Sequence, residues 1–256
     1  MIPFAGGTLE ARRWRTFENL TWLEETRSSQ DLARELIDVY FGEDQRFPAS
    51  VIVADSQPGA RGRRGTWSAP AGRGLYFTFI REAQPGEPVS LIPIAVARWV
   101  REVLREKTGV NAELKWPNDL YVGRRKLAGV LAESTTQGNQ TYVTVGVGIN
   151  VLGPAATLGI SSATTLEEET GGPFALAPLL QALLDRIDKE LAEPRWEAEV
   201  REWEKASAHR HGDRLTVRRE GKDVSGAYLG LTPEGFLRLE TPSGEVVLAA
   251  GEVAQW

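Results

Sequence analysis

Gln57-Pro58-Gly59-Ala60-Arg61-Gly62-Arg63-Arg64-Gly65-Thr66-Trp67-Ser68-Ala69-Pro70 lies between two apolar runs. Three arginines and three glycines fall within its Gly59–Gly65 core. Glycine lets a backbone bend tightly and approach a ligand. Arginine forks bind carboxylates and phosphates. So basic a segment packs poorly in a core, because charge costs free energy unless it stays in water or meets an anion. A segment that only turned a corner has no need of three arginines, so binding or chemistry is expected. Before it, Ser50–Asp55 reads as a buried strand, and after it Gly74–Ile80 reads as the next. Trp67 lies between them. Core packing is the default for one of eight tryptophans. On a basic loop between Thr66 and Ser68, a tryptophan is also placed to stack on a purine.

The loop is a local exception in an acidic chain. Net charge is −5 over 256 residues, which argues against bulk nucleic-acid binding and makes a small anion the expected ligand. With 41% hydrophobic and 25% charged residues, the composition is that of a globular protein with room for one large domain and a small one. There is no cysteine, which excludes disulfides, thiolate metal sites and cysteine nucleophiles and suits a reducing cytoplasm. No apolar run has the roughly 20 residues needed to cross a bilayer, and residues 1–15 lack the apolar centre of a secretion signal.

Along the chain, residues 1–13 read as a ragged start and residues 16–25 as a strand. Leu32, Leu36, Val39 and Tyr40 share one face of a helix, with Ser28 and Asp31 spaced as a capping box. Ser28 and Ser29 either cap this helix or hold a polar ligand group beside its free amides. Residues 91–107 predict a second helix, capped by Ser90 and stopped by Gly109, with Arg98, Arg101, Arg105 and Lys107 on a solvated face. Lys115-Trp116-Pro117-Asn118-Asp119 leads into a hairpin that turns at Gly123-Arg124 and returns through Lys126-Leu127-Ala128-Gly129 to Glu133. A plain turn would bond Asn118 and Asp119 to their own backbone, but it needs no flanking lysines. Tyr142–Asn150 is a strand whose Gly146 and Gly148 share a face open to close approach. Helices are expected over residues 176–190 and 195–206. Strands at 214–218, 224–231, 236–241 and 245–248 then predict a small β-barrel module. His209 and His211 read as a solvated connector.

The candidate site holds Arg61, Arg63, Arg64, Lys115 and Lys126, the carboxylate of Asp119, the amides of Gln57 and Asn150, and Trp67. It lacks a nucleophile–histidine pair and any dinucleotide or Walker-type loop. Such positive charge suits a nucleoside triphosphate and a second anion. Attack of a carboxylate on the α-phosphate of ATP requires both, with Mg²⁺ carried mainly by the phosphates.

Ser28-Ser29-Gln30-Asp31, the Gln57–Pro70 loop, Lys115–Asp119, Arg125–Gly129 and Val147–Asn150 together resemble the biotin–protein ligases, in that family's order. The resemblance implies an α+β fold: a mixed or antiparallel sheet flanked by helices, a class II synthetase-like catalytic domain (residues 1–208), and a small C-terminal SH3-like β-barrel (209–256). It implies activation of biotin with ATP to biotinyl-5′-AMP, then transfer to a lysine of a biotin carboxyl carrier domain of a biotin-dependent carboxylase. Ser28, Ser29 and Gln57 would contact biotin's ureido end, with Gln30 beside them. Arg61, Gly62 and Arg63 would fold over biotin and the adenylate. Lys126 would stand between the biotin carboxylate and the α-phosphate, with Arg63 and Asp119 as its catalytic companions. Gly129 would let the ligand pass close to the strand. Trp67 would stack on adenine, and Lys115, Asn118 and Asn150 would contact ATP or the adenylate. Three departures stand out: Ser29-Gln30 where the family has Thr-Asn, Gly59-Ala60 in inverted order, and Thr66-Trp67 one residue shorter than in some members. The chain also lacks room for the family's DNA-binding N-terminal domain, so neither DNA nor a membrane is an expected partner; a homodimer stays open.

Three rival readings remain. A lipoate–protein ligase shares fold and chemistry. A nucleic-acid module would use Arg61–Arg64 on phosphates and Trp67 on bases. A non-catalytic biotin-binding relic is disfavoured by retention of Lys126 and Asp119.

Overall fold

A computed structural model describes residues 2–4, 7–9, 14–43, 45–62, 65–67, 70–158, 162–219 and 221–256. In chain order the elements are β1 (Ile2–Phe4), β2 (Gly7–Leu9), β3 (Asn19–Glu25), α1 (Ser29–Gly42), β4 (Ser50–Ser56), β5 (Arg61–Gly62), β6 (Gly65–Thr66), β7 (Gly74–Glu82) and α2 (Ile92–Thr108). They continue as β8 (Glu113–Lys115), β9 (Asp119–Val122), β10 (Arg125–Gln137), β11 (Gln140–Asn150), α3 (Leu166–Thr170), α4 (Leu176–Ala192) and α5 (Trp196–Lys205). The last five are β12 (Arg214–Arg219), β13 (Lys222–Leu231), β14 (Leu237–Thr241), β15 (Gly244–Leu248) and β16 (Glu252–Gln255).

The main sheet is seven-stranded, in the order β3-β4-β7-β11-β10-β9-β8. Only β3 and β4 run parallel; the other neighbours are antiparallel. Side chains alternate between its faces, as strand geometry requires. Val51, Val53, Leu75, Phe77 and Phe79 face one way, into the large core with α2 and α4. Ile52 and Ile80 face the other way, where Ala33 and Ile37 of α1 cover them with Phe47 and Tyr142. Helix α1 starts as its sequence requires: the Ser28 hydroxyl accepts from the Asp31 N–H at the N-cap. The second sheet, β15-β14-β13-β12-β16, is antiparallel throughout. Its Leu215, Val217, Leu237, Leu239 and Val253 continue the large core, and the Trp116 indole donates to the Gly235 carbonyl across the junction at 3.0 Å. The fold is therefore the α+β arrangement with a C-terminal β module that the sequence implied. Among the described residues, no helix is long and apolar enough to cross a membrane.

Five expectations need correction. The start of the chain carries two short paired strands, β1 and β2. Ser90 makes no cap: residues 89–91 form a 3-10 turn and the helix starts at Ile92. Gly109 does end it, in the left-handed conformation at φ 77°. Arg98 is buried, because Glu199 of α5 meets its fork with two bonds of 2.6 and 2.9 Å; Arg105 and Lys107 are solvated as expected. The small module has a fifth strand, β16, whose brief Glu-Val-Ala-Gln pattern carries little period.

His209 is also not a solvated connector; it is buried, with its ring edge-on to Tyr228 and Trp256 at 5.7 and 5.3 Å. His211 is exposed. Burial, aided by the Lys115 charge, holds the His209 pKa down to about 4. The unfolded chain takes up this proton near pH 6.5 and the folded chain only near 4. Stability is thus complete above pH 6.5 and declines as the pH falls toward 4, by up to about 3 kcal/mol. Denaturant titrations over that window are expected to show this decline, and His209→Leu is expected to flatten it.

Candidate functional site

The α1 face of the main sheet has a gap in its side chains. Pairing places Tyr76, Gly148, Gly129 and Asp119 opposite one another in a row across β7, β11, β10 and β9. The next row reads Thr78, Gly146, Leu131. Directly paired residues share a face, so the glycines leave a hollow over β11 and β10. The hollow is a cavity of about 220 Å³. Its wall on the open side is the β5–β6 hairpin, through Arg61, Gly62, Thr66 and Trp67.

Side chains lie close over both glycines of the central row. A Cβ on Gly148 would stand 2.8 Å from the Trp67 indole. One on Gly129 would stand 3.1–3.2 Å from the Asp119 carboxylate and the Lys126 ammonium. Lys126 and Asp119 pair across that gap at 2.7 Å. The Lys126 ammonium also lies 5.2 Å from the Trp67 ring. The Lys126 backbone sits where the β9–β10 register shifts. There its N–H donates to Ser162 and its carbonyl accepts from Thr164. Asn150 pins the same spot, its amide nitrogen donating to the carbonyls of Lys126 (3.3 Å) and Thr164 (3.1 Å).

The other end of the cavity is polar and buried. The Gln57 carbonyl oxygen accepts from the Ser29 N–H at 2.8 Å and hydroxyl at 3.1 Å. The Ser29 and Thr78 hydroxyls share a bond of 2.7 Å. The Gln30 amide nitrogen spans β10 and β11, donating to Glu133, Thr144 and the Leu131 carbonyl. Its oxygen would lie 2.9 Å from a Cβ on Gly146. The longer amide at position 30 is therefore matched to the glycine beneath it. The inverted Gly59-Ala60 has a similar reason. Gly59 donates to the Arg27 carbonyl at 2.8 Å and has no room for a Cβ, while Ala60 is buried against Tyr76 and Trp67.

The sequence-predicted residues thus divide. Ser28, Ser29, Gln30, Gln57, Arg61, Gly62, Trp67, Asn118, Asp119, Lys126 and Gly129 converge on one cavity. Asn118 spends its amide nitrogen on the Val130 carbonyl of β10, across the hairpin and not within its own turn. Lys115 and Asn150 lie outside the lining. Lys115 pairs in register with Asp119 at the end of the same row and is buried beyond it, 4.8 and 5.9 Å from the rings of Tyr121 and Trp256, and that burial lowers its pKa. Arg63 and Arg64 lie outside the described residues. Among the lining residues that sequence reasoning missed are two polar ones, Thr78 and Glu252. A small hydroxyl residue between Phe77 and Phe79 was the available signal for Thr78; Glu252 had none, since the second sheet supplies it. No cluster of three His, Cys, Asp or Glu able to hold a metal occurs among the described residues.

Fold and pocket define the class: an α+β ligand-enclosing domain joined to a C-terminal β-sheet module. The biotin/lipoate A/B protein ligase family model matches residues 27–150, and the biotin protein ligase C-terminal domain model matches 211–255. The biotin–[acetyl-CoA-carboxylase] ligase of Paracoccus denitrificans is 30% identical over 218 residues, covering 79% of this chain and 88% of that protein. A structure of the Aquifex aeolicus biotin protein ligase in complex with biotin and ATP superposes with a TM-score of 0.76 at 30% identity, over 93% of this chain and 98% of that one. Biotin–protein ligase 1 of Arabidopsis thaliana is 39% identical over 109 residues, 40% of this chain. That match spans only 29% of the plant protein, and three other curated relatives are likewise matched over about a third of their length. The chain belongs to the biotin protein ligase family.

The matched pair Gln30 and Gly146 yields a prediction. Gly146→Ala is expected to displace the Gln30 amide and destabilise the fold. In the background of Gln30→Asn, whose amide is one methylene shorter, the same change should cost about 1 kcal/mol less. A double-mutant cycle in denaturant measures that coupling.

Proposed function

We propose that this chain activates biotin with ATP and transfers it to a lysine of a biotin carboxyl carrier domain. The observation that carries the reading is the polarity of the cavity along its length. Gln57, Ser29 and Thr78 offer buried donors and acceptors at one end, suited to a ureido ring. Lys126 and Asp119 stand at the other, where a carboxylate and a phosphate would meet. Lys126 is the fixed cation that offsets repulsion between those two anions and stabilises charge building on the phosphoryl oxygens. A carboxylate oxygen of biotin attacks the α-phosphorus, and the bond to pyrophosphate breaks. The carrier lysine amine then attacks the acyl carbon, AMP leaves, and Asp119 is the nearby carboxylate able to take the proton.

Trp67 carries a buried indole N–H with no partner among the described residues, a donor that suits a purine or phosphate acceptor. Arg63 and Lys115 are assigned to the adenylate side, Lys115 through the field of its charge. Asn118 and Asn150 act by positioning β10 and Lys126. Asp119 suits Mg²⁺ as a hard oxygen ligand beside ATP phosphates, which would carry most of the coordination. The ion would neutralise phosphate charge. Residues 1–208 are assigned to catalysis and residues 209–256 to the module that contributes Glu252. A reducing cytoplasm suits a chain without cysteine.

Biotin-dependent ATP–pyrophosphate exchange tests the reading, with lipoate as the control acid. Exchange with biotin alone is expected, and Lys126→Ala should lower it by about 100-fold or more with the fold intact. Exchange supported by lipoate instead, or full activity in Lys126→Ala, would overturn it.

A further inference from the structure

We infer that Arg61 acts as a latch rather than a phosphate ligand, and that Asp31 and Glu133 are the positioning residues that hold it. The Arg61 guanidinium lies 2.7 Å from the Asp31 carboxylate and 3.5 Å from that of Glu133. Asp31 is on α1 and Glu133 on β10, so two rigid elements grip one side chain of the hairpin. Arg34 completes the group, 3.0 Å from Glu133 and 3.7 Å from Asp31. Two guanidiniums thus face two carboxylates. A cation so offset has little charge left for a phosphate. As a tether its position is apt. Strands β5 and β6 hold two residues each, too short a hairpin to keep its own place in water. Its base is fixed by Gly59 N–H to the Arg27 carbonyl and by Trp67 N–H to the Ala60 carbonyl. Beyond that base, the Trp67 ring packs with Tyr76, and Arg61 is the charged attachment among the described residues. The hairpin walls the cavity, so the latch sets how completely the cavity is closed.

The latch also touches the pocket. Glu133 accepts from the Gln30 amide at 3.1 Å through the oxygen that Arg61 approaches. Gln30 lines the polar end of the cavity. Hairpin and pocket floor therefore share one carboxylate.

The test is the double variant Asp31→Asn, Glu133→Gln, with Glu133→Gln alone as a milder form. Without substrate, tryptic cleavage after Arg61 is followed by the mass of the N-terminal fragment. About fivefold faster cleavage in the double variant is expected, the scale set by exposed ion pairs, with thermal unfolding matching the parent. This readout needs no catalysis. A second readout rests on the function proposed above: escape of the activated acyl group, seen as labelling of an unrelated bystander protein, is expected to rise in parallel. Unchanged cleavage in both variants would overturn the latch. So would a lower KM for ATP in the double variant, because it would mean that the freed Arg61 binds phosphate. Faster cleavage in a protein that performs no biotin-dependent exchange would keep the latch and reject the reaction.

Discussion

Two missing β-carbons set the terms for the site. Gly129 and Gly148 face each other on neighbouring strands, with Gly146 on the same face in the next row. A sheet face packed at interior density leaves no room for a ligand. Dropping two side chains from one cross-strand row opens that room without bending the sheet. It also forces the choice of what fills the remainder. The Trp67 indole settles on one glycine, and the Lys126–Asp119 pair bridges the other. The hairpin that brings Trp67 and the register shift that turns Lys126 inward both serve the same gap.

Electrostatics in the site are more balanced than its composition suggests. Arg61 meets Asp31 and Glu133, and Lys126 meets Asp119. Lys115 is buried among rings, which lowers its pKa. Partly exposed ion pairs are weak and exchange readily, so the Lys126–Asp119 pair keeps its ammonium in place until a stronger anion competes. An entering phosphate would take Lys126 from Asp119 and leave that carboxylate beside the reacting groups. Preorganisation of this kind lowers the reorganisation needed when charge develops.

Much of this was legible in the sequence because it depends on local chemistry. The capping serine at position 28, the hairpin turn at Gly123-Arg124, the left-handed Gly109 and the shared face of Gly146 and Gly148 all follow from short-range rules. What was not legible depends on partners distant in the chain. Arg98 reads as a surface residue until Glu199, about a hundred positions later, arrives to neutralise it. His209 reads as linker until the second sheet closes over it. Asn118 reads as a ligand group, yet its amide is spent on β10. Asp31 reads as a capping-box residue because Arg61 meets it in three dimensions alone. The reason for Gly59-Ala60 likewise lies in Arg27, a residue outside the motif.

The site depends on the facing glycines Gly148 and Gly129 at the centre of the cross-strand row, and Gly148→Ala tests this most directly. A methyl group there would stand 2.8 Å from the indole and push Trp67 off the strand. Biotin-dependent pyrophosphate exchange should fall at least about tenfold while thermal stability changes little, since the barrier would rise by roughly 1.4 kcal/mol or more. Exchange within about twofold of the parent, in a correctly folded variant, would contradict the account.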